Sequence, residues 1–181
     1  MRLGAAALRA RLGKARLVLT DVDGVMTSGT IYHFVDTAGE LVEFKGIHSQ
    51  DSIGMAWLAD SGLITGVISG RVSKGTDARL RNLKVTHIYQ HRLDKAAVFA
   101  EILAKEGLSA SQAVYVGDDL PDLAVMSRAG LAVAPANARP EVKAAAHWVT
   151  KARGGEGAFR ELAEALLKAQ GLWGAVLARY R

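Results

Sequence analysis

The stretch "LVLTDVDGVMTSG", residues 17–29, is the most informative part of the sequence, because an apolar run ends there in two aspartates, one residue apart, and then a glycine. Alternate residues of an extended chain point to the same side, so Asp21 and Asp23 can face one pocket. Buried carboxylates are unfavourable unless a cation pairs with them. The stretch therefore indicates either a charged turn or a strand end that holds a cation and performs chemistry.

The composition is that of a globular protein. The chain has 181 residues, a length that suits one domain spanning residues 1–181. Half of the residues are hydrophobic and 23% are charged, which argues against disorder. The sequence contains no cysteine, which excludes a disulfide scaffold, a thiolate zinc site and a cysteine nucleophile.

The charge pattern favours a small anionic ligand over nucleic acid or a membrane. The net charge is +5, but the lysines and arginines are scattered and form no basic run. Basic side chains between Arg9 and Arg16 interrupt the N-terminal segment, which predicts a short helix rather than a signal peptide. No apolar run approaches the length of a membrane span, and we expect a cytoplasmic protein.

Short apolar runs alternate with helical periodicity along the chain. Strands are predicted at residues 16–20, 64–68, 85–89, 113–117 and 131–133. Helices are predicted at residues 51–61, 72–83, 95–106, 120–129 and 157–170. The alternation predicts an α/β fold, a doubly wound Rossmann-like parallel sheet with helices on both faces.

Two segments depart from this alternation. Residues 27–44 contain two β-rich runs around Asp36-Thr37-Ala38-Gly39 and predict a β-hairpin that protrudes from the sheet. Residues 171–181 predict an amphipathic tail that docks on a partner subunit. Trp57, at helical spacing from Ile53, is expected in the core, and Trp148 at an edge strand.

Polar signals follow three of the predicted strands, where a parallel sheet binds its ligands. They are Asp21 with Asp23, Ser69-Gly70-Arg71, and "GDDLPD" at residues 117–122. Each signal alone could be a helix cap or a turn, but their joint placement favours phosphoryl transfer through an aspartate nucleophile. Crowded oxygen ligands select a hard cation, so we expect Mg²⁺. Ser69 would donate to a phosphoryl oxygen, and Lys95 would neutralise charge.

Together these segments resemble the haloacid dehalogenase superfamily of phosphatases. The four matching motifs are "DVDGV" at residues 21–25, Ser69, Lys95 and "GDDLPD". The resemblance implies that Asp21 attacks phosphorus. It implies that Asp23 protonates the leaving oxygen and then activates water.

The same resemblance implies the ligands of the metal. Asp21, Asp118 and the backbone carbonyl of Asp23 are expected to hold Mg²⁺. Asp119 and Asp122 are expected to support these ligands from nearby.

The spacing of the motifs leaves no room for an inserted cap domain. Only a hairpin, a helix and a strand fit between Asp23 and Ser69, and only a helix and a strand fit between Ser69 and Lys95. The site of a monomer would be open to water. We therefore expect a homo-oligomer in which neighbouring subunits close the site.

A capless chain with such a hairpin is similar to the 3-deoxy-D-manno-octulosonate 8-phosphate phosphatases, from residue 17 to about residue 170. The similar segments are "GVMTSGTIYH", "SGR", "THIYQHRLDKAAVF", "YVGDDLPDLAVM" and "GGEGAFRE". The resemblance implies a homotetramer assembled through the hairpins and a phosphorylated sugar acid, used for lipopolysaccharide, as the substrate. It also implies that Gly70, Arg71 and Arg79 contact the anionic groups of that substrate, which the arginine fork suits.

The stretch "FKGIHSQDSIGM", residues 44–55, departs from that family. Asp51, Ser52 and Gly54 stand where an Asp-Gly pair and a second glycine are usual, and all three are expected to bind substrate. Ser52 resembles the sister phosphatases that act on nine-carbon sugar acids such as 2-keto-3-deoxynononate 9-phosphate, whereas Arg71 resembles the octulosonate group. Both substrates remain open at this point, and so does the role of His48.

Two readings from other classes compete with a phosphatase. A signalling receiver domain also combines an acceptor aspartate, acidic neighbours, Ser or Thr, and Lys on a doubly wound sheet. Its acidic pair would follow the first strand and its acceptor the third, which is not the order here. A non-catalytic sugar-binding domain would not need Asp21, Asp23, Ser69, Lys95 and Asp118 all intact.

Overall fold

The computed structural model describes residues 2–181. Its strands are β1 (Leu17–Thr20), β2 (Tyr32–Val35), β3 (Leu41–Phe44), β4 (Ile64–Ile68), β5 (His87–Tyr89), β6 (Ala113–Val116), β7 (Leu131–Ala134) and β8 (Trp148–Val149). Its α-helices are α1 (Ala5–Lys14), α2 (Ser49–Asp60), α3 (Lys74–Asn82), α4 (Lys95–Glu106), α5 (Leu123–Met126), α6 (Pro140–Ala145), α7 (Ala158–Ala169) and α8 (Trp173–Ala178). Two 3-10 helices, Ala110–Gln112 and Leu120–Asp122, flank β6.

Six strands form one sheet in the order β5-β4-β1-β6-β7-β8, and every neighbouring pair is parallel. In the register, Thr20 of β1 lies opposite Val67 of β4 and Val116 of β6, so these strands end close to one level. The chain continues from β1 to β4 on one side and later enters β6 on the other. The carboxyl end of β1 is therefore a topological switch point, where such sheets bind ligands. The predicted doubly wound fold is confirmed.

Helices cover both faces of the sheet because adjacent residues of a strand point to opposite sides. Val18 belongs to one core, with Trp57 of α2 and Phe159 of α7. Leu19 belongs to a second core, with Phe99 of α4. All four residues of β1 are buried, which explains why this strand is apolar without alternation. Trp57 packs in the core as the sequence predicts.

The protruding hairpin is confirmed as the antiparallel pair β2–β3. Its turn is closed by Asp36, whose Oδ1 accepts hydrogen bonds from the backbone N–H groups of Ala38 and Glu40 at 2.8 and 2.9 Å. Gly39 follows at φ +82°, a left-handed conformation that glycine adopts without strain. The side chains of Tyr32 and Phe34 are about half exposed. Within residues 2–181 no other insertion stands over the sheet, so the fold has no cap domain.

Some boundaries differ from the sequence predictions. The strand expected at residues 85–89 begins only at His87. The helix expected at residues 120–129 is a 3-10 turn followed by the short α5. Asp119 accepts a hydrogen bond from the backbone N–H of Leu120, and Pro121 stands in the first turn, where its missing N–H costs no helical hydrogen bond. Trp148 lies on edge strand β8 as expected.

The C-terminal tail packs on its own chain, and docking on a partner subunit stays a prediction. The indole N–H of Trp57 donates to the hydroxyl of Tyr180 at 2.8 Å. The ring of Trp173 packs edge-on against Trp57 with 5.4 Å between centroids, and Val176 of α8 is buried in the core. Aromatic burial within the chain explains this choice, since α2 and α7 offer an apolar surface next to the tail. None of the described helices is long and apolar enough to span a bilayer.

Candidate active site

An open cavity lies at the carboxyl edge of the sheet, around the end of β1. Its lining brings together residues from β1, β4, α4 and β6 that are far apart in the sequence. They are Asp21, Asp23, Ser69, Gly70, Arg71, Arg92, Leu93, Lys95, Asp118, Asp119, Pro121 and Asp122. Every polar segment that the sequence analysis placed at a strand end thus contributes to one site.

Asp21 and Lys95 form the buried centre of the site. The backbone N–H of Asp21 donates to the carbonyl of Val116 at 2.9 Å, which extends the pairing of β1 with β6 by one residue. Lys95 is the first residue of α4, and its Nζ lies 2.9 Å from Oδ1 of Asp21. Asp94 caps this helix by accepting a hydrogen bond from the backbone N–H of Ala97. The cap fixes the start of α4 and hence the direction of the Lys95 side chain.

Asp122 organises the loop that follows β6. Its Oδ1 accepts hydrogen bonds from Lys95 Nζ at 2.8 Å and from the Tyr115 hydroxyl at 2.7 Å. Its Oδ2 accepts from the backbone N–H groups of Asp118 and Asp119 at 2.9 and 3.2 Å. Both oxygens are occupied by protein donors, so this carboxylate orients its neighbours and is not free to bind a metal.

The donor set fits a divalent cation. Carboxylate oxygens of Asp21, Asp118 and Asp122 lie within 4.8 Å of one another. Among the described residues, Oδ1 of Asp118 is buried and has no hydrogen-bond partner, a costly arrangement that a cation would relieve. A side chain at Gly24 would collide with the carboxylate of Asp118, so glycine is required for Asp118 to approach the loop after β1. Asp21 and Asp118 are the carboxylates left for Mg²⁺ once Asp122 is engaged.

The pKa shifts show a shortage of positive charge. Burial raises the pKa of Asp21 to about 6, although the ammonium of Lys95 opposes the shift. Burial and then the nearby Asp21 and Asp122 carboxylates raise the pKa of Asp118 to about 7. Burial by itself would lower the pKa of Lys95, but the attraction of these carboxylates outweighs it and the pKa is raised. One ammonium among three crowded carboxylates leaves room for a further cation.

Ser69 is held at the opposite side of the cavity. Its backbone N–H donates to the carbonyl of Tyr89, and its Oγ accepts a hydrogen bond from the backbone N–H of Arg71 at 3.2 Å. The hydroxyl proton of Ser69 remains available to a ligand oxygen. Gly70 and Arg71 follow directly and line the mouth.

Sequence reasoning missed the charged residues at the base of the hairpin. Lys45 Nζ lies 2.7 Å from Oδ1 of Asp23, and Glu43 Oε2 lies 2.6 Å from NH2 of Arg71. It also missed Arg92, at the mouth of the cavity. The signal was present in "EFKG", where two opposite charges flank the last aromatic of the hairpin, but only the fold brings them to the site.

The glycine-rich segment before α7 supports the loop after β1. Asn137 donates its Nδ2 to the carbonyl of Gly24 at 3.0 Å and accepts a hydrogen bond from the backbone N–H of Gly154. The backbone N–H of Gly155 donates to the carbonyl of Val25 at 2.9 Å. Side chains at both glycines would collide with backbone of residues 24–28, so the close approach requires them.

Three of the expected substrate contacts lie outside the cavity, and their contact with substrate stays a prediction. Asp51 and Ser52 are fully buried in α2, so neither presents surface to a ligand. The carboxylate of Asp51 instead accepts hydrogen bonds from the backbone N–H groups of Gly157 and Arg160 at the start of α7. Gly54 of α2 packs against Arg160 of α7, and a larger residue at position 54 would push the two helices apart.

Arg79 and His48 also lie outside the cavity. Arg79 is exposed on α3, and its contact with substrate stays a prediction. His48 is partly exposed, with Nδ1 3.8 Å from Oδ2 of Asp51.

Comparison with known proteins agrees with this geometry. Residues 71–162 match the family model described as haloacid dehalogenase-like hydrolase. The 3-deoxy-D-manno-octulosonate 8-phosphate phosphatase of Yersinia pestis is 40% identical over 88% of this chain and 83% of its own length.

Solved structures show the same similarity. The Moraxella catarrhalis 3-deoxy-D-manno-octulosonate 8-phosphate phosphatase, crystallised with magnesium, phosphate and the sugar acid, is 32% identical, with a TM-score of 0.92 over 98% of this chain and 100% of its own. The cobalt-bound Haemophilus influenzae phosphatase is 35% identical, with a TM-score of 0.82 over 89% of this chain and 92% of its own. The chain therefore belongs to the haloacid dehalogenase-like hydrolases, and specifically to their capless phosphatases.

Proposed function

We propose that this protein is a Mg²⁺-dependent phosphatase that hydrolyses 3-deoxy-D-manno-octulosonate 8-phosphate to the free sugar acid and phosphate. The observation that carries the proposal is the buried Asp21, paired with Lys95 and next to the unpartnered oxygen of Asp118. One cavity thus contains a nucleophile, the Asp21 carboxylate, and a cation, the Lys95 ammonium. It also contains an oxygen of Asp118 that has no hydrogen-bond partner and could bind a metal. The similarity to sugar-acid phosphatases over most of the chain supplies the substrate class.

The residues divide the work of hydrolysis in two steps. Asp21 attacks phosphorus and forms an aspartyl-phosphate, while Asp23 gives a proton to the leaving sugar oxygen. Asp23 then takes a proton from the water that attacks the aspartyl-phosphate, which releases phosphate and restores Asp21. Lys95 and the Ser69 hydroxyl stabilise the charge on the phosphoryl oxygens.

Magnesium would be held by Asp21, Asp118 and the backbone carbonyl of Asp23. When bound, it neutralises the phosphoryl group and the carboxylates around it, so that two anions can approach each other. Asp122 keeps Lys95 and the backbone of the Asp118 loop in place. Asp119 lines the cavity beside them.

An arginine at the mouth of the cavity would recognise the carboxylate of the sugar acid. Arg71 and Arg92 both line the cavity, together with Gly70. Arg71 is occupied by Glu43, whereas no carboxylate among residues 2–181 pairs with Arg92. Arg92 is thus the guanidinium open to the substrate carboxylate.

We further propose that the chain is a single domain that acts as a homotetramer in the cytoplasm. The half-exposed aromatic hairpin and the open cavity support an assembly in which neighbours cover both. The free sugar acid that this reaction would release suits activation for lipopolysaccharide. The cytoplasmic location is a prediction from the N-terminal sequence.

Phosphate release in the presence of Mg²⁺ tests the substrate. The eight-carbon acid 8-phosphate, a nine-carbon 2-keto acid 9-phosphate and sugar phosphates without a carboxylate are compared by kcat/KM. We expect the eight-carbon acid to be preferred, because the Ser52 that suggested a nine-carbon acid is buried away from the cavity. A preference for the nine-carbon acid would reassign the substrate, and no release from any ester would favour a binding or receiver domain.

A further inference from the structure

Lys45 contacts the carboxylate that transfers the proton. Its Nζ lies 2.7 Å from Oδ1 and 3.0 Å from Oδ2 of Asp23. The side chain of Lys45 is only 3% exposed, so its ammonium has little water to bind. Within the described part of the chain, no other side chain donates a hydrogen bond to the Asp23 carboxylate.

The two aspartates of "DVDGV" are each held by a lysine of their own. Lys95 reaches Asp21 from the start of α4, and Lys45 reaches Asp23 from the base of the hairpin. Lys45 does not line the cavity, whereas Lys95 does. A change at Lys45 therefore acts on Asp23 without removing a group from the phosphoryl pocket.

Glu43 lies between Lys45 and Arg71 and pairs with both. Its Oε1 lies 3.6 Å from Lys45 Nζ, and its Oε2 lies 2.6 Å from NH2 of Arg71. The charges alternate from Asp23 through Lys45 and Glu43 to Arg71. A buried ammonium left without an anionic partner is strongly unfavourable, so the carboxylates of Asp23 and Glu43 favour this position of Lys45 over Asp23.

We propose that Lys45 is a positioning residue for proton transfer: it fixes the Asp23 carboxylate in the orientation from which it protonates the leaving oxygen. The inference rests on the proposed phosphatase function. Contacts to both oxygens restrict rotation of the carboxylate, and proton transfer depends on a donor held within hydrogen-bond reach. The hairpin therefore contributes to the chemistry of its own subunit.

Leaving-group dependence separates positioning from a general structural effect. A sugar-acid phosphate releases a poor, alkoxide-type leaving group that needs protonation, whereas p-nitrophenyl phosphate releases a stable phenolate. We expect Lys45→Met to lower kcat/KM about 10- to 100-fold on the sugar-acid phosphate, within the range attributed to general acid catalysis, because kcat/KM reports the steps up to release of the leaving group. The loss on p-nitrophenyl phosphate is expected to be only a few-fold, and Lys45→Arg should recover part of the selective loss.

Two further variants complete the design. Lys168→Met removes a lysine–carboxylate pair of 2.8 Å outside the cavity and is expected to leave both rates unchanged. Asp23→Asn should show the same selective loss in kcat/KM as Lys45→Met, because the later attack of water on the aspartyl-phosphate is common to both substrates and does not enter kcat/KM. Circular dichroism and thermal unfolding check each fold, and Lys45→Gln replaces a Lys45→Met variant that does not fold.

The outcomes that contradict the role of Lys45 differ from those that contradict the phosphatase function. Equal losses on both substrates, or no loss, in the Lys45 variants would overturn the positioning role while Asp23→Asn still supports the phosphatase mechanism. An unselective effect of Asp23→Asn on kcat/KM would refute the acid role of Asp23, and the role of Lys45 with it. A wild-type protein inactive on both esters would refute the proposed function itself.

Discussion

The buried carboxylate of Asp51 accepts a hydrogen bond from the backbone N–H of Arg160 at 2.7 Å, and so caps α7 from a neighbouring helix. Its other oxygen accepts from the backbone N–H of Gly157 at 3.2 Å. The first N–H groups of a helix lack partners within the helix, and a carboxylate there also opposes the positive end of its dipole. The residue that sequence similarity placed against the substrate is thus a structural link between α2 and α7.

Asp51→Ala is expected to destabilise the protein and to leave substrate recognition intact. Loss of the buried acceptor leaves two backbone donors unsatisfied, which costs about 1–3 kcal/mol. Urea unfolding measures this loss, and KM for the sugar-acid phosphate should change less than about twofold. A large rise in KM at unchanged stability would restore Asp51 to the substrate site.

Asp21→Asn is expected to abolish turnover while the fold is retained. The amide is a poor nucleophile, so the aspartyl-phosphate cannot form. Phosphate release and thermal unfolding, measured side by side, check the two statements. Substantial residual activity would remove Asp21 from the nucleophile role.

The stability of the metal-free protein is expected to fall as the pH rises from about 4 to 7. The pKa of Asp21 is raised to about 6 and that of Asp118 to about 7, from an ordinary value of 3.8, so the folded state keeps protons that the unfolded state releases. Where the unfolded state binds fewer protons, the free energy of unfolding decreases with pH.

Urea unfolding in EDTA at several pH values measures this slope. Asp118→Asn should flatten it, and Mg²⁺ should add most stability above pH 7, where both carboxylates are ionised. A slope of the opposite sign, or one unchanged by Asp118→Asn, contradicts the assignment of these carboxylates to the metal.

Arg92→Gln is expected to raise KM for the sugar-acid phosphate about tenfold or more. It removes a charge-assisted hydrogen bond to the substrate carboxylate, worth about 1.5–3 kcal/mol. A sugar phosphate without a carboxylate should be unaffected. Arg128→Gln, exposed and outside the cavity, is the matched control. An equal change on both substrates would exclude carboxylate recognition by Arg92.

Removal of residues 173–181 is expected to lower stability and to leave KM unchanged. The tail contributes the hydrogen bond from Trp57 to Tyr180 and the packing of Trp173 on its own chain, together worth about 1–3 kcal/mol. Thermal unfolding and steady-state kinetics separate the two effects. A rise in KM with little change in stability would indicate a tail that completes a neighbouring site.

The sheet and the phosphoryl pocket were predictable from the sequence. Uniformly apolar strands predicted burial on both faces, and polar residues directly after β1, β4 and β6 had to meet, because parallel strands end at one edge. This rule alone placed Asp21, Asp23, Ser69 and Asp118, whereas Lys95, at the start of α4, was placed by its resemblance to a family motif. Helix bounds around residues 120–129 were less accurate, since the segment is a 3-10 turn followed by α5, which ends at Met126.

The pairing of the charged groups was not predictable from the sequence, because it depends on the tertiary structure. Lys45 and Asp23 are 22 residues apart, and Glu43 and Arg71 are 28 apart. No strand register or helical spacing relates them. Both contacts form where the base of the hairpin meets the site, just as Asp51 caps α7 where α2 packs on it. Periodicity predicts which face a side chain takes within its own element, whereas its partner depends on how whole elements pack.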